Sequence, residues 1–152
     1  MFITDALLGE HAAFHLLIQH IEQSLPAFDS LPNLQHRIAA FAFALESHAG
    51  LEDELLFIAL EPHLGTRNGP LALMRMEHNQ ITELFGRIES TASLEQGSAF
   101  ALQMIQITRG HFQKEEHVLF RMARQVLGED ELSVLGAKWE QRRVPLIRLD
   151  MP

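Results

Sequence analysis

The chain has 152 residues, 47% of them hydrophobic and 21% charged, enough for one domain with a sizeable core and too few to expect two. Its 12 Lys and Arg against 20 Asp and Glu give a net charge of −8, which disfavours nucleic-acid backbones and anionic membrane surfaces as partners. There is no cysteine, so disulfides, thiolate metal sites and iron–sulfur clusters are excluded, and any metal must be held by His and carboxylate.

Val, Ile and Thr are sparse, and no segment alternates with period two between turn signals, so the chain reads as all-α. Thr4 or Asp5 is placed to cap a first helix that runs to about Leu25 and stops at Pro26. Its stripe is Leu7, His11, Phe14, Ile18, Ile21 and Leu25. Ser30 before Pro32 opens a second helix that reaches about Glu61, ahead of Pro62, with Ile38, Phe41, Leu45, His48, Glu52, Leu55 and Ala59 on one face. The loop His63 to Gly69 precedes Pro70, which begins a third helix with Leu71, Met74, His78, Ile81, Phe85 and Ile88 inward. Ser90 to Ser98 reads as a polar connection. A fourth helix, from about Ala99 to Leu127, carries Phe100, Met104, Ile107, His111, Glu115, Val118 and Met122 on its stripe, with Gly128 as its C-terminal cap.

Short connections imply an up-down-up-down antiparallel four-helix bundle over about 4–127. A short amphipathic C-terminal helix over about 129–145 follows, with Leu132, Leu135 and Trp139 on one side, as a lid on the bundle or a homodimer contact. The whole, 1–152, is expected to be a single domain. No basic residue precedes the first apolar positions, and no apolar run approaches the roughly 18 residues of a membrane span, so a cytoplasmic location without membrane partners is expected.

One segment occurs twice. His48-Ala-Gly-Leu-Glu52-Asp-Glu-Leu-Leu-Phe57 and His111-Phe-Gln-Lys-Glu115-Glu-His-Val-Leu-Phe120 share the pattern His-x-x-x-Glu-acid-x-aliphatic-Leu-Phe. Each follows an earlier Glu-His pair, Glu10-His11 and Glu77-His78, so the chain reads as two related helical hairpins. Residues four apart share a helix face, so His48 with Glu52 and His111 with Glu115 form two-pronged chelates. Imidazole nitrogen with carboxylate oxygen suits iron, manganese or zinc. A carboxylate can bridge two ions where an imidazole binds one, which assigns Glu52 and Glu115 as bridges.

Burying two carboxylates without a cation costs several kcal/mol each or forces their protonation, so core histidines bonded to glutamates explain the pattern poorly. The expected ligands are His11, His48, Glu52, His78, His111 and Glu115. His15, one turn after His11, is an alternative or additional ligand or a partner of one. Glu116 is an alternative to Glu115. Asp53, Glu54 and His117 read as a solvated face, and His20, His36 and His63 as exposed.

At these residues the chain resembles the hemerythrin-like proteins, the HHE cation-binding domain family, whose pattern is His, then His-x-x-x-Glu, then His, then His-x-x-x-Glu on successive helices. The resemblance covers about Thr4 to Leu127. It implies a non-haem di-iron centre, two iron ions in an oxo- or hydroxo-bridged pair, on the six residues named, with zinc or manganese as alternatives. Ferritin-like di-iron bundles use Glu-x-x-His, and no Glu here has a His three residues later. The oxygen-carrying hemerythrins have a second third-helix His where this chain has Met74, and a fourth-helix Asp five residues after the His where this chain has Glu115 at four. Reversible oxygen carriage is therefore not what the resemblance implies here.

The function expected first is a module that binds or senses a diatomic ligand such as dioxygen or nitric oxide. Its rivals are a di-iron oxidoreductase consuming peroxide or nitric oxide, iron or other metal handling, a role like that of the iron–sulfur repair proteins, and a structural bundle whose metals only fix the fold. No separate acid, base or nucleophile motif supports an enzyme.

Overall fold

The computed structural model describes residues 1–148, with side chains through Val144. Of the span expected as one domain, 149–152 and the side chains of 145–148 lie outside the described residues. Among the described residues there are five helices and no strand. α1 is Ile3–Ser24, followed by a 3₁₀ turn at Leu25–Ala27 that contains Pro26. α2 spans 31–64 and is built of α-helical Leu31–Leu51, π-helical Glu52–Phe57 and α-helical Ile58–Leu64. α3 is Pro70–Ser90. α4 spans 94–126, again with a π-helical insert: Leu94–Lys114, Glu115–Leu119, Phe120–Val126. α5 is Glu129–Arg148.

Neighbouring helices run antiparallel, as two cross-links show. Arg124 near the end of α4 donates to Thr4 Oγ1 at the start of α1 at 3.1 Å, and Gln35 at the start of α2 donates to the Ile88 carbonyl at the end of α3 at 3.1 Å. The expected four-helix bundle with a C-terminal helix is therefore present. Its interior holds two apolar layers. One contains Phe14, Ile18, Ile38, Phe41, Phe85 and Met104; the other contains Ile3, Leu7, Phe57, Leu60, Met74 and Phe120.

Several boundaries differ from the sequence reading. Thr4 and Asp5 do not cap α1, because Phe2 precedes its first residue; Thr4 is buried and both residues bind Arg124, so they dock α1 onto α4. Pro62 does not end α2. It removes one amide donor, but the helix closes beyond it, where the Gly65 N–H donates to the Glu61 carbonyl at 2.9 Å with Gly65 at φ 75°. Ser30 caps α2 as expected, accepting from the Asn33 N–H at 3.3 Å. α4 begins at Leu94, not Ala99, because Ser93 caps it, accepting from the Gln96 N–H at 3.2 Å. Gly97 then sits inside the helix, where a Cβ would lie 3.1 Å from Leu34 and 3.2 Å from Leu31. Gly128 is no left-handed cap; its carbonyl accepts from the Leu132 N–H at 3.0 Å and opens α5.

The two π inserts have the largest consequence. A π turn holds an extra residue, so beyond each insert the inward stripe slips by one position. Leu60 replaces Ala59 in the core, Leu119 replaces Val118, and Ala123 replaces Met122.

α5 packs along α1 and the π insert of α2, burying Leu132 and Leu135 in the layer that contains Ile3 and Leu7, with Trp139 half-buried beside them. Its approach to the chain start is close: a Cβ on Gly136 would stand 2.1 Å from the Met1 carbonyl oxygen. Backbone cannot yield that distance without α5 shifting, so Gly136→Ala is expected to cost about 1–3 kcal/mol. Urea unfolding of the variant, compared with an equally conservative Gly128→Ala where the added Cβ meets nothing within 4 Å, measures that cost.

Candidate metal centre

Each hairpin brings one His on its first helix and a His-x-x-x-Glu chelate on its second. In α2 and α4 the chelating His lies in the last α-helical turn and the Glu opens the π insert. The widened turn aims Glu52 and Glu115 between the two hairpins.

His11, His48, Glu52 and Glu115 converge in one group, and Glu52, His78, His111 and Glu115 in a second, each compact enough to hold a metal ion. The two carboxylates belong to both groups. Glu52 Oε1 lies 2.9 Å from His48 Nε2 and 3.5 Å from His11 Nε2, while its Oε2 lies 3.3 Å from His78 Nε2. Glu115 Oε1 lies 3.1 Å from His111 Nε2 and its Oε2 lies 3.3 Å from His11 Nε2. Five of the six side chains are at most 2% exposed; His78 is the most open.

The Nδ1 atoms face outward onto four further carboxylates. His11 Nδ1 donates to Glu116 at 3.1 Å, His48 Nδ1 to Glu10 at 2.8 Å, and His111 Nδ1 to Glu77 at 2.8 Å. His78 Nδ1 lies 3.3 Å from Asp53 Oδ1, a looser charge contact. The arrangement repeats between hairpins: the acid before each first-helix His holds the chelating His of its own hairpin, and the acid after each bridging Glu holds the first-helix His of the other. Phe57 lies over His78 at 5.7 Å, and Phe120 over His11 at 5.4 Å. The solvated face assigned to Asp53 is thus corrected, and Glu116 supports His11 from behind. His15 stands outside both groups and donates through Nε2 to Glu116 at 2.8 Å.

With their Nδ1 atoms donating to carboxylates, His11, His48 and His111 each turn a lone pair at Nε2 toward the centre, and the Asp53 charge beside His78 Nδ1 favours the same tautomer there. His11 and His48 face each other at 3.1 Å between Nε2 atoms, and His78 and His111 at 3.0 Å. Two lone pairs at that distance repel unless a cation or proton lies between them. All four oxygens of Glu52 and Glu115 are buried and, among the described residues, meet no polar group but the facing imidazoles. Facing nitrogens and buried carboxylate oxygens together are a donor set for cations.

Without metal, protons occupy the same places. Burial pushes the His11 imidazole down, but hydrogen bonds to Glu115 and Glu52 raise it to about 9. For His48 burial is again outweighed, by the Glu52 charge and Glu10, to about 10. His78 reaches about 10, burial being outweighed by Asp53 and Glu52, and His111 is raised against burial by Glu115 and Glu77. Burial opposes ionisation of Glu52, yet the His48 charge and the His11 hydrogen bond hold its carboxyl well below the usual range.

A family model described as the hemerythrin HHE cation-binding domain matches residues 3–123. None of the curated proteins and none of the solved structures matches the chain.

Proposed function

Because the chain belongs to the hemerythrin HHE cation-binding family, we propose that its centre holds two iron ions, bridged by Glu52 and Glu115, and that the protein binds or responds to dioxygen or nitric oxide. The observation that carries this reading is the pair of facing Nε2 couples over two fully buried carboxylates that meet only these imidazoles among the described residues. Bound iron supplies redox chemistry and open coordination positions for a diatomic.

The chain's own residues set what reaches the site. A cavity of about 20 Å³ beside the centre is lined by Leu45, His48, His78, Ile81, Phe85 and Phe112, among others, and holds about one water-sized molecule. Phe112 stacks on His11 at 4.0 Å and closes that side with an apolar wall. Such a space is of the size of a diatomic ligand. Full burial of both bridging carboxylates also favours a resident pair over cargo that is loaded and released.

The test is the visible spectrum of the iron-loaded protein before and after dioxygen and nitric oxide. Charge-transfer bands that change with either gas support the reading, and a spectrum indifferent to both refutes it.

A further inference from the structure

The two ligand groups have the same donors, two imidazoles and the two shared carboxylates, yet their supports differ. Behind His111, Glu77 is held by Lys114, one turn along from His111 itself on α4. Behind His48, Glu10 is held by Arg143, which comes from α5, outside the four-helix bundle. Arg143 spans two partners. One nitrogen of its fork pairs with Glu10 Oε1, and the other donates to Ser47 Oγ at 2.7 Å, beside His48 in sequence. Glu10 Oε2 meanwhile accepts from His48 Nδ1 at 2.8 Å. Arg143 and Glu10 are each 17% exposed at the side chain, so the pair is only lightly screened by water.

We propose that Arg143 is a positioning residue for the metal ion on the His11/His48 side, and that through it the docking of α5 is coupled to occupancy of that ion alone. This rests on the dinuclear reading above. The planar guanidinium fixes the Glu10 carboxylate in rotation as well as in place, and Glu10 in turn fixes the ring plane and tautomer of His48. Among the described residues the other ion has no partner on α5: His78 and His111 are backed by Asp53 and by Glu77 with Lys114. α5 is also held to the bundle by Leu132 and Leu135 in its first half, by Trp139 one turn before Arg143, and by the exposed Arg142–Glu54 pair. A metal-ordered His48 gives Arg143 a better-fixed partner, and because coupling is reciprocal, iron on the His11/His48 side tightens the C-terminal half of α5.

The experiment titrates ferrous iron into the metal-free protein against a chromogenic chelator, for the wild type, Arg143→Ala and Arg142→Ala. Arg142 is the control, since its pairing with Glu54 at 3.0 Å is exposed and Glu54 backs none of the four histidines. Arg143→Ala is expected to weaken one of the two dissociation constants by about 10- to 100-fold and leave the other unchanged, with one of the two Mössbauer doublets of ⁵⁷Fe-loaded protein altered. Arg142→Ala is expected to leave both unchanged. Iron is expected to slow amide exchange in α5 of the wild type and not of Arg143→Ala. If that variant does not fold, Glu10→Gln, which keeps the shape and removes the charge, takes its place with the same expected result. Two ions bound by the wild type with both constants shifted together, or neither, overturns this inference alone. A wild type that binds no pair of ions overturns the dinuclear reading with it.

Discussion

Glu52→Ala and Glu115→Ala are each expected to empty both proposed metal positions, lowering metal content from about two ions per chain to near none, whereas His11→Ala or His111→Ala is expected to leave about one. The difference follows from sharing. Each carboxylate faces imidazoles of both groups, Glu52 across 2.9 to 3.5 Å from His48, His11 and His78, so its loss removes a donor from both ions. Each histidine belongs to one group. The carboxylate variants also leave buried imidazoles without the charge that raised their pKa, so they are expected to lose the metal-free fold's proton network as well. Elemental analysis of the four purified variants, with helicity checked by circular dichroism, decides it. Equal loss in all four would argue against shared bridges.

Chelation is expected to lower the melting temperature steeply, and more so at high pH. A ligand present at a thousandfold excess over its dissociation constant adds about 4 kcal/mol. A chain of this size shifts by about 2–4 °C per kcal/mol, so the pair adds roughly 15–30 °C.

The metal-free fold depends on protons instead. Its histidines are raised to about 9 at His11 and about 10 at His48 and His78, above the roughly 6.5 of an unfolded chain. Groups raised on folding contribute stability that is fully present below about 6.5 and lost as pH climbs through 9 to 10. Metal-free protein is therefore less stable at pH 10 than at pH 7. The loaded protein, whose imidazoles are neutral ligands at both pH values, changes far less over that range. Thermal unfolding with and without chelator at the two pH values measures both effects.

Much of this was legible in the sequence. Periodicity placed the four bundle helices, Ser30 marked a cap, and the repeat of His-x-x-x-Glu with its upstream His picked out the six side chains that the fold brings together. The π inserts were not legible, because a 3.6-residue stripe assumes an unbroken turn. Their trace is the apolar width of Leu55-Leu56-Phe57 and Val118-Leu119-Phe120, three neighbours where an amphipathic helix needs fewer.

The four supporting carboxylates were within reach. Glu10, Asp53, Glu77 and Glu116 all belong to the repeat, but each sits one residue off the stripe, where a helical wheel assigns solvent. What sends them inward is the neighbouring helix, which periodicity within one segment does not encode. The same holds for α5: Gly136 against Met1 and Arg143 against Glu10 join the two ends of the chain, and no local signal connects them.

The most direct test of the central claim is the metal content of the purified chain by elemental analysis, read together with its Mössbauer spectrum. About two irons per chain in two magnetically coupled positions is the predicted result. A single ion, or none under metal-replete conditions, would contradict a centre built on two shared carboxylates.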